Sequence, residues 1–409
     1  KHLTASYQGT AQTAPAPGLN GTFDLPLPSV GALFAWLNQP LAADPGPLTL
    51  HLETVSDGGK LTLRNAALTG KAIKLTAQAS VDATKTPPSF EAKIDIPQAD
   101  LDAYMPPAKP APTAAPAAPA PSAPAPATAG WSTVPYDFRV LGGANGHLAI
   151  SAAKLRYHGQ DITDTALDLT LGKRVLRLTK GDLHVAGGSI AGSFTLDASA
   201  AAAKCQAQAD ILGLQLRPAL TAFAGSDRLA GRLAATADLT ATGATQQQMI
   251  ASLAGAGTLR ITDGAIYGFD LAKSLHQIGS LRLANAPTDK TDFTPLAGTY
   301  TIKAGVLANN DLQLLSPAAT VSGSGTVSLP PRSLDYTLQT RLAPGQGVAA
   351  ALAAVAIPVQ VTGPWSRPNV QADWSAALNQ IKLPGDLGKV APDINKVLPG
   401  IKLPKGLFR

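Results

Sequence analysis

The chain has 409 residues, enough for a sizeable core and for two or three domains, and it is apolar and charge-poor: 45% hydrophobic against 15% charged. Its formal charge of +6 is concentrated at one end, because the segment 381–409 alone carries Lys382, Lys389, Lys396, Lys402, Lys405 and Arg409 against Asp386 and Asp393. A nearly neutral body with 5% aromatic residues offers neither a basic stripe nor stacking platforms, which argues against a nucleic-acid partner.

Only two glutamates, Glu53 and Glu91, stand beside 25 aspartates. Glutamate suits helix interiors and aspartate suits turns and caps, so this imbalance, with 38 glycines and 34 prolines, predicts a mainly β protein. Cys205 is the single cysteine, which excludes an intrachain disulfide and reads as a small half-buried residue. No run of 18 apolar residues exists to span a membrane as a helix. The opening Lys1-His2-Leu3-Thr4-Ala5-Ser6-Tyr7 lacks an initiator Met and a signal peptide, and is read as the middle of a strand in a chain whose N-terminal part is missing.

In chain order, the first block (1–105) contains a helix expected over Ser29–Leu41, capped by Ser29, with Val30, Leu33, Phe34 and Leu37 on one face. Around it, period-two alternation predicts strands over Leu48–Glu53, Lys60–Leu68, Lys71–Val81 and Phe90–Ile96. Residues 106–130 follow as a linker: Pro106 to Ala129 holds nine prolines and eleven alanines, which favours extended polyproline geometry.

The block 131–380 repeats one theme. Pairs and triplets such as Leu148/Ile150, Leu167/Leu169/Leu171, Leu176/Leu178 and Phe194/Leu196 alternate with polar residues, and turns such as Gly172-Lys173 join them. The expected fold is many short antiparallel strands forming a meander with one apolar face, curled as a groove or folded as a sandwich or barrel. Helices expected over Leu216–Ala224, Thr245–Ala254 (with Thr245 as cap) and Asp270–Leu283 would cover an edge or end of that sheet.

Motifs for chemistry are missing: there is no Gly-x-Ser-x-Gly, no His-Glu-x-x-His and no phosphate-binding Gly-x-x-x-x-Gly-Lys. Ser322-Gly323-Ser324-Gly325 lies inside strand sequence and reads as a kink, bulge or close backbone approach. His158, Asp161 and Asp164 straddle a turn and read as turn residues before metal ligands, while Asp100 and Asp102 read as caps. No catalytic residue, metal or cofactor is expected, and enzyme is the poorer class.

Residues 381–409 form a basic amphipathic tail, in which Ile381-Lys382-Leu383-Pro384 recurs as Ile401-Lys402-Leu403-Pro404. Its lysines, Lys382, Lys389, Lys396, Lys402 and Lys405, are candidates for contact with an anionic membrane surface or a partner; packing on its own domain, or disorder, is the simpler reading.

One region is more than texture. Met249-Ile250-Ala251-Ser252-Leu253-Ala254-Gly255-Ala256-Gly257, the run Thr258 to Leu271, Thr291-Asp292-Phe293-Thr294-Pro295-Leu296, Asn310-Asp311-Leu312, Ser322-Gly323-Ser324-Gly325 and Ile357-Pro358-Val359-Gln360-Val361 occur in an order that resembles the C-terminal region of the AsmA family of bacterial envelope proteins. The resemblance implies a periplasmic protein anchored in the inner membrane of a Gram-negative cell by an N-terminal helix. It also implies kinship with larger bridge-like proteins that carry lipid along a curled apolar sheet. The expected partners are phospholipid, the inner membrane, and an outer-membrane or envelope protein. The expected function is phospholipid transport between membranes in support of outer-membrane biogenesis, with a sealed-core scaffold for outer-membrane protein assembly as the alternative. The groove candidates are Leu259, Ile261, Ile266, Phe269, Leu312, Leu314, Val321 and Val327, with Arg260 and Thr262 facing water. The same residues could equally fill a sealed core.

Overall fold

A computed structural model describes residues 5–12, 18–39, 41–106, 130–268, 289–343, 355–365 and 367–373. Among these are twenty β-strands and three short α-helices, as the glutamate-poor, turn-rich composition predicts. The chain divides into two compact units, one of residues 1–207 with 242–248 and the other of residues 208–241 with 249–409.

The first unit contains β1 (Ser6–Gln12), β2 (Gly18–Leu27), α1 (Val30–Trp36), β3 (Leu48–Asp57), β4 (Lys60–Gly70), β5 (Ile73–Asp82), β6 (Ser89–Asp100), β7 (Asn145–Tyr157), β8 (Gln160–Gly172), β9 (Val175–Val185) and β10 (Gly188–Asp197). Each strand pairs with the next, antiparallel everywhere except at β6 and β7. That one parallel pair aligns Ser89 with Asn145 and Ile94 with Ile150. It is physically reasonable because a parallel neighbour needs a long crossover, and the Pro/Ala-rich segment lies between these two strands. That segment therefore does not divide the sheet, and the boundary between 1–105 and 131–380 expected from composition is not where the compact units part.

Local signals fix the ends of elements. The Ser29 hydroxyl caps α1 by accepting from the Ala32 N–H, and the helix ends at Trp36, shorter than its apolar stripe suggests. Asp44 holds the entry to this helix, its carboxylate accepting from Ser29 Oγ at 2.6 Å and the Gly31 N–H at 2.8 Å. Asp100 caps a 3-10 turn at Leu101–Tyr104. Asp102 reaches further: its carboxylate accepts from the backbone N–H groups of His158 (2.6 Å) and Gly159 (2.8 Å), tying that turn to the β7–β8 hairpin.

β11 (Ala203–Gln215) and β12 (Leu229–Gly243) run through both units, with α2 (Leu216–Ala224) between them; α3 (Gln246–Ser252) follows β12, with the Thr245 hydroxyl accepting from the Gln248 N–H as its cap. The second unit continues with β13 (Ala254–Tyr267), β14 (Lys290–Phe293), β15 (Leu296–Lys303), β16 (Val306–Leu315), β17 (Ala319–Ser328), β18 (Ser333–Leu342), β19 (Ala356–Pro364) and β20 (Asn369–Ala372). These pair antiparallel in succession, β13 taking both β14 and β15 along its length. The helix expected over Asp270–Leu283 lies outside the described residues.

Candidate functional site

Register turns the alternation of single strands into continuous rows. In the first unit Tyr7, Phe23, Leu52, Ala66, Ala77, Ile94, Ile150, Leu167, Gly181 and Gly192 are cross-strand neighbours in order, one from each of the ten strands. A second row on the same face runs Leu63, Ala79, Ala92, Leu148, Leu169, Leu178 and Phe194. Six inter-strand spacings of about 4.8 Å make this row roughly 29 Å long, close to the ~30 Å hydrocarbon thickness of a bilayer. Its large side chains, Leu63, Leu148, Leu169, Leu178 and Phe194, are all only partly buried. In a two-layer sandwich the inner-face leucines would be fully covered.

The opposite face is polar. His147 Nε2 lies 2.9 Å from Asp168 Oδ2, and the Thr179 hydroxyl donates to the same carboxylate at 2.7 Å. Those two hydrogen bonds, Thr179 first, hold the Asp168 carboxyl below its usual range. A shallow cavity of about 530 Å³ lies among Arg64, Gln78, Glu91, Lys93 and His147.

The second unit carries two parallel rows. One runs Leu233, Ile261, Leu296, Leu314, Val321, Thr340 and Ile357; the other runs Leu239, Gly255, Ile302, Leu307, Val327, Leu334 and Gly363. Between them, from β16 onward, lies Leu312, Gly323, Leu338 and Val359. The two ends of this face differ. At β12–β15 the helix α2 lies on it: Leu216 packs with Ile261 and Phe293, all buried, and Leu220, Leu229, Leu233, Leu259, Ile266, Leu296 and Leu314 surround them. A nine-residue helix is marginal alone, so α2 exists here because Leu216 and Leu220 leave water, at about 1.5–3 kcal/mol for each fully buried leucine. From β16 to β19 the inner rows are only partly covered among the described residues: Leu312, Val321, Val327, Leu334, Leu338 and Val359 are all partly exposed, whereas Thr340 and Ile357, at the far end of the first row, are buried.

One polar notch interrupts this apolar face. The Tyr336 hydroxyl donates to Asn309 Oδ1, and Asn309 Nδ2 donates to the Thr299 carbonyl at 2.6 Å and to Asp311 Oδ1 at 2.7 Å. Asp311 accepts in turn from the Thr299 N–H (2.8 Å) and hydroxyl (2.9 Å), which hold its carboxyl below the ordinary value. Partial burial, with the Asp311 charge adding to it, pushes the Tyr336 phenol up.

The groove candidates therefore fall into two groups. Ile261, with Leu259, Ile266 and Leu314 packed around it, belongs to the cluster under α2; Leu312, Val321 and Val327 belong to the uncovered rows. Arg260 points to solvent, whereas Thr262 is half-buried. Phe269 and the tail lysines Lys382, Lys389, Lys396, Lys402 and Lys405 lie outside the described residues. Leu307, Leu334, Leu338 and Val359 complete the rows but were not among the groove candidates; in the first unit pairs such as Leu148/Ile150 and Leu176/Leu178 were expected on one apolar face, but none was named as a groove residue. The signal was present in their alternation, but only register joins them. The His158–Asp161–Asp164 turn works locally: Asp161 pairs with Lys154 at 2.9 Å and Asp164 faces His184 at 3.8 Å. Cys205 is half-buried, and burial raises its thiol.

Comparison with known proteins bears on this pattern. The family model described as the AsmA family matches residues 46–312, which is more than half of the chain. The chain belongs to the AsmA family. The AsmA match takes in both units, from β3 to β16. Protein AsmA of Escherichia coli (strain K12) is 23% identical over 329 residues, which cover 76% of this chain and 52% of that protein. The chain thus spans about half the length of this AsmA relative. No solved structure matches it.

Proposed function

We propose that this chain is a non-enzymatic protein of the Gram-negative envelope that holds phospholipid acyl chains on its uncovered apolar sheet faces, and so carries lipid between the inner and outer membranes. Membership of the AsmA family supports an envelope role connected with outer-membrane assembly. The periplasm, tethered to the inner membrane, is the compartment this reading requires.

The observation that carries the lipid reading is the run of partly exposed aliphatic rows: Leu63 to Phe194 in the first unit, and Leu312, Val321, Val327, Leu334 and Leu338 in the second. Two acyl chains in water cost on the order of 20 kcal/mol, at about 0.8 kcal/mol per CH₂. A sheet face of mainly aliphatic side chains, interrupted in the second unit by the Asn309–Asp311–Tyr336 notch, removes most of that cost with no catalytic group. Polar residues face water on the other side, so the protein itself stays dispersed.

The second reading, a scaffold with a sealed core that assists outer-membrane protein assembly, is favoured by the α2 cluster, where Ile261 retains 3% of its accessible surface. In-cell photocrosslinking separates the two. A diazirine amino acid at Val327 should capture phospholipid, and the same probe at Ser322, on the exposed side of the same strand, should not. Absence of lipid at Val327 in a folded, correctly located protein would favour the scaffold.

A further inference from the structure

We infer that α2 is a displaceable plug, which covers one end of the second unit's apolar face and must lift for lipid to pass Ile261; this rests on the lipid reading above. The face is one continuous surface by register, Leu233–Ile261–Leu296–Leu314–Val321, yet α2 covers its first part and leaves Val321 partly exposed, before the row ends on the buried Thr340 and Ile357. Lipid lying on Val321 and Val327 would therefore meet Leu216 and Leu220 as a barrier.

The helix is attached as a movable part would be. Gly213 (φ +69°) precedes it and Gly225 (φ +63°) ends it, both in the left-handed region that glycine adopts without strain. A side chain at either site would meet nothing within 4 Å, so the two bends are not wedged by neighbours. At the start of the helix Gln215 makes no side-chain cap, which leaves that end weakly fixed. A polar latch holds the helix: Arg217 stacks on the Tyr267 ring at 4.4 Å and faces Asp227 at 3.7 Å.

The exchange is chemically balanced for the sheet. What α2 gives to Leu233, Leu259, Ile261, Phe293 and Leu296 is aliphatic contact, and an acyl chain supplies the same contact without hydrogen bonds to be matched. The cost of opening falls on Leu216 and Leu220, and on the Arg217 latch. Occupancy of the neighbouring rows by lipid offers these leucines an apolar surface other than the sheet.

The test uses the full chain in cells, with the diazirine probe at Ile261 and separately at Val327. In the otherwise unaltered protein, lipid capture should be strong at Val327 and at least about fivefold weaker at Ile261. Arg217→Ala, which removes the latch, should raise capture at Ile261 severalfold and leave Val327 unchanged. Leu220→Asp, which places a charge in the covered face, should raise it further, with circular dichroism reporting that the sheet is retained. Equal capture at Ile261 and Val327 before any substitution would overturn the plug, as would capture at Val327 with none at Ile261 in a folded Arg217→Ala protein. Lipid at neither position in any variant would remove the lipid reading, and the plug with it.

Discussion

Glycines of the second unit take their meaning from the aromatic rings opposite them. Gly264 pairs across the sheet with Phe293, Gly257 with Tyr300 and Gly325 with Tyr336, and in each case the ring occupies the space a Cβ would need. In the first unit Gly146 and Phe90 repeat the arrangement. The close backbone approach expected at Ser322-Gly323-Ser324-Gly325 is found at Gly325, where the Asp335 carbonyl and the Tyr336 Cα crowd the Cβ position together with the Tyr336 ring. Gly264→Ala should lower stability by about 1–3 kcal/mol through overpacking, and the loss should shrink in a Phe293→Leu background; chemical denaturation of the four-member cycle measures both. Asp311 adds a pH signature. Its folded value lies below the unfolded one, about 3.9, because Thr299 and Asn309 donate to the carboxylate. The stabilisation is therefore complete above that pH and disappears as pH falls through the lower folded value. Asp311→Asn should flatten the acid limb of a melting-temperature profile between about pH 5 and pH 2, while leaving its neutral limb parallel to that of the unaltered protein.

Elements were legible wherever a local signal sets them. Ser29 marks the start of α1, the limits Leu216–Ala224 were read directly from the apolar spacing, and Thr245 caps α3. Strand alternation likewise predicted β3 to β10. What no local period encodes is which elements meet. The parallel pairing of β6 with β7 brings together residues separated by the Pro/Ala-rich segment, and the docking of Leu216 over Ile261 joins a helix to a strand that follows it by some forty residues. The sequence reading consequently treated Ile261 and Val327 as equivalent groove candidates, although one is covered and the other is not. Leu216→Ala should cost about 2–5 kcal/mol in a denaturant titration of the second unit's transition, the range for a large-to-small change in a packed core. Val327→Ala, on the uncovered rows, should cost clearly less, because much of that side chain already meets water.

At the scale of the whole molecule, each unit makes its own argument. The first is ten strands paired in succession, whose large apolar side chains stay partly exposed; the second combines a helix-covered cluster with a partly exposed continuation that ends on the buried Ile357. AsmA family membership covers parts of both. Leu169, in the middle of the 29 Å row (about six strand spacings), tests the central claim most directly, because its neighbours Leu148 and Leu178 are also partly accessible. The decisive measurement is mass-spectrometric quantitation of phospholipid co-purifying with the full chain and with Leu169→Asp, each checked for fold by circular dichroism. An open lipid-bearing face predicts that Leu169→Asp remains folded, since the charge can reach water, and loses most of its lipid. Unfolding of the variant, or a folded variant with its lipid undiminished, would contradict the account.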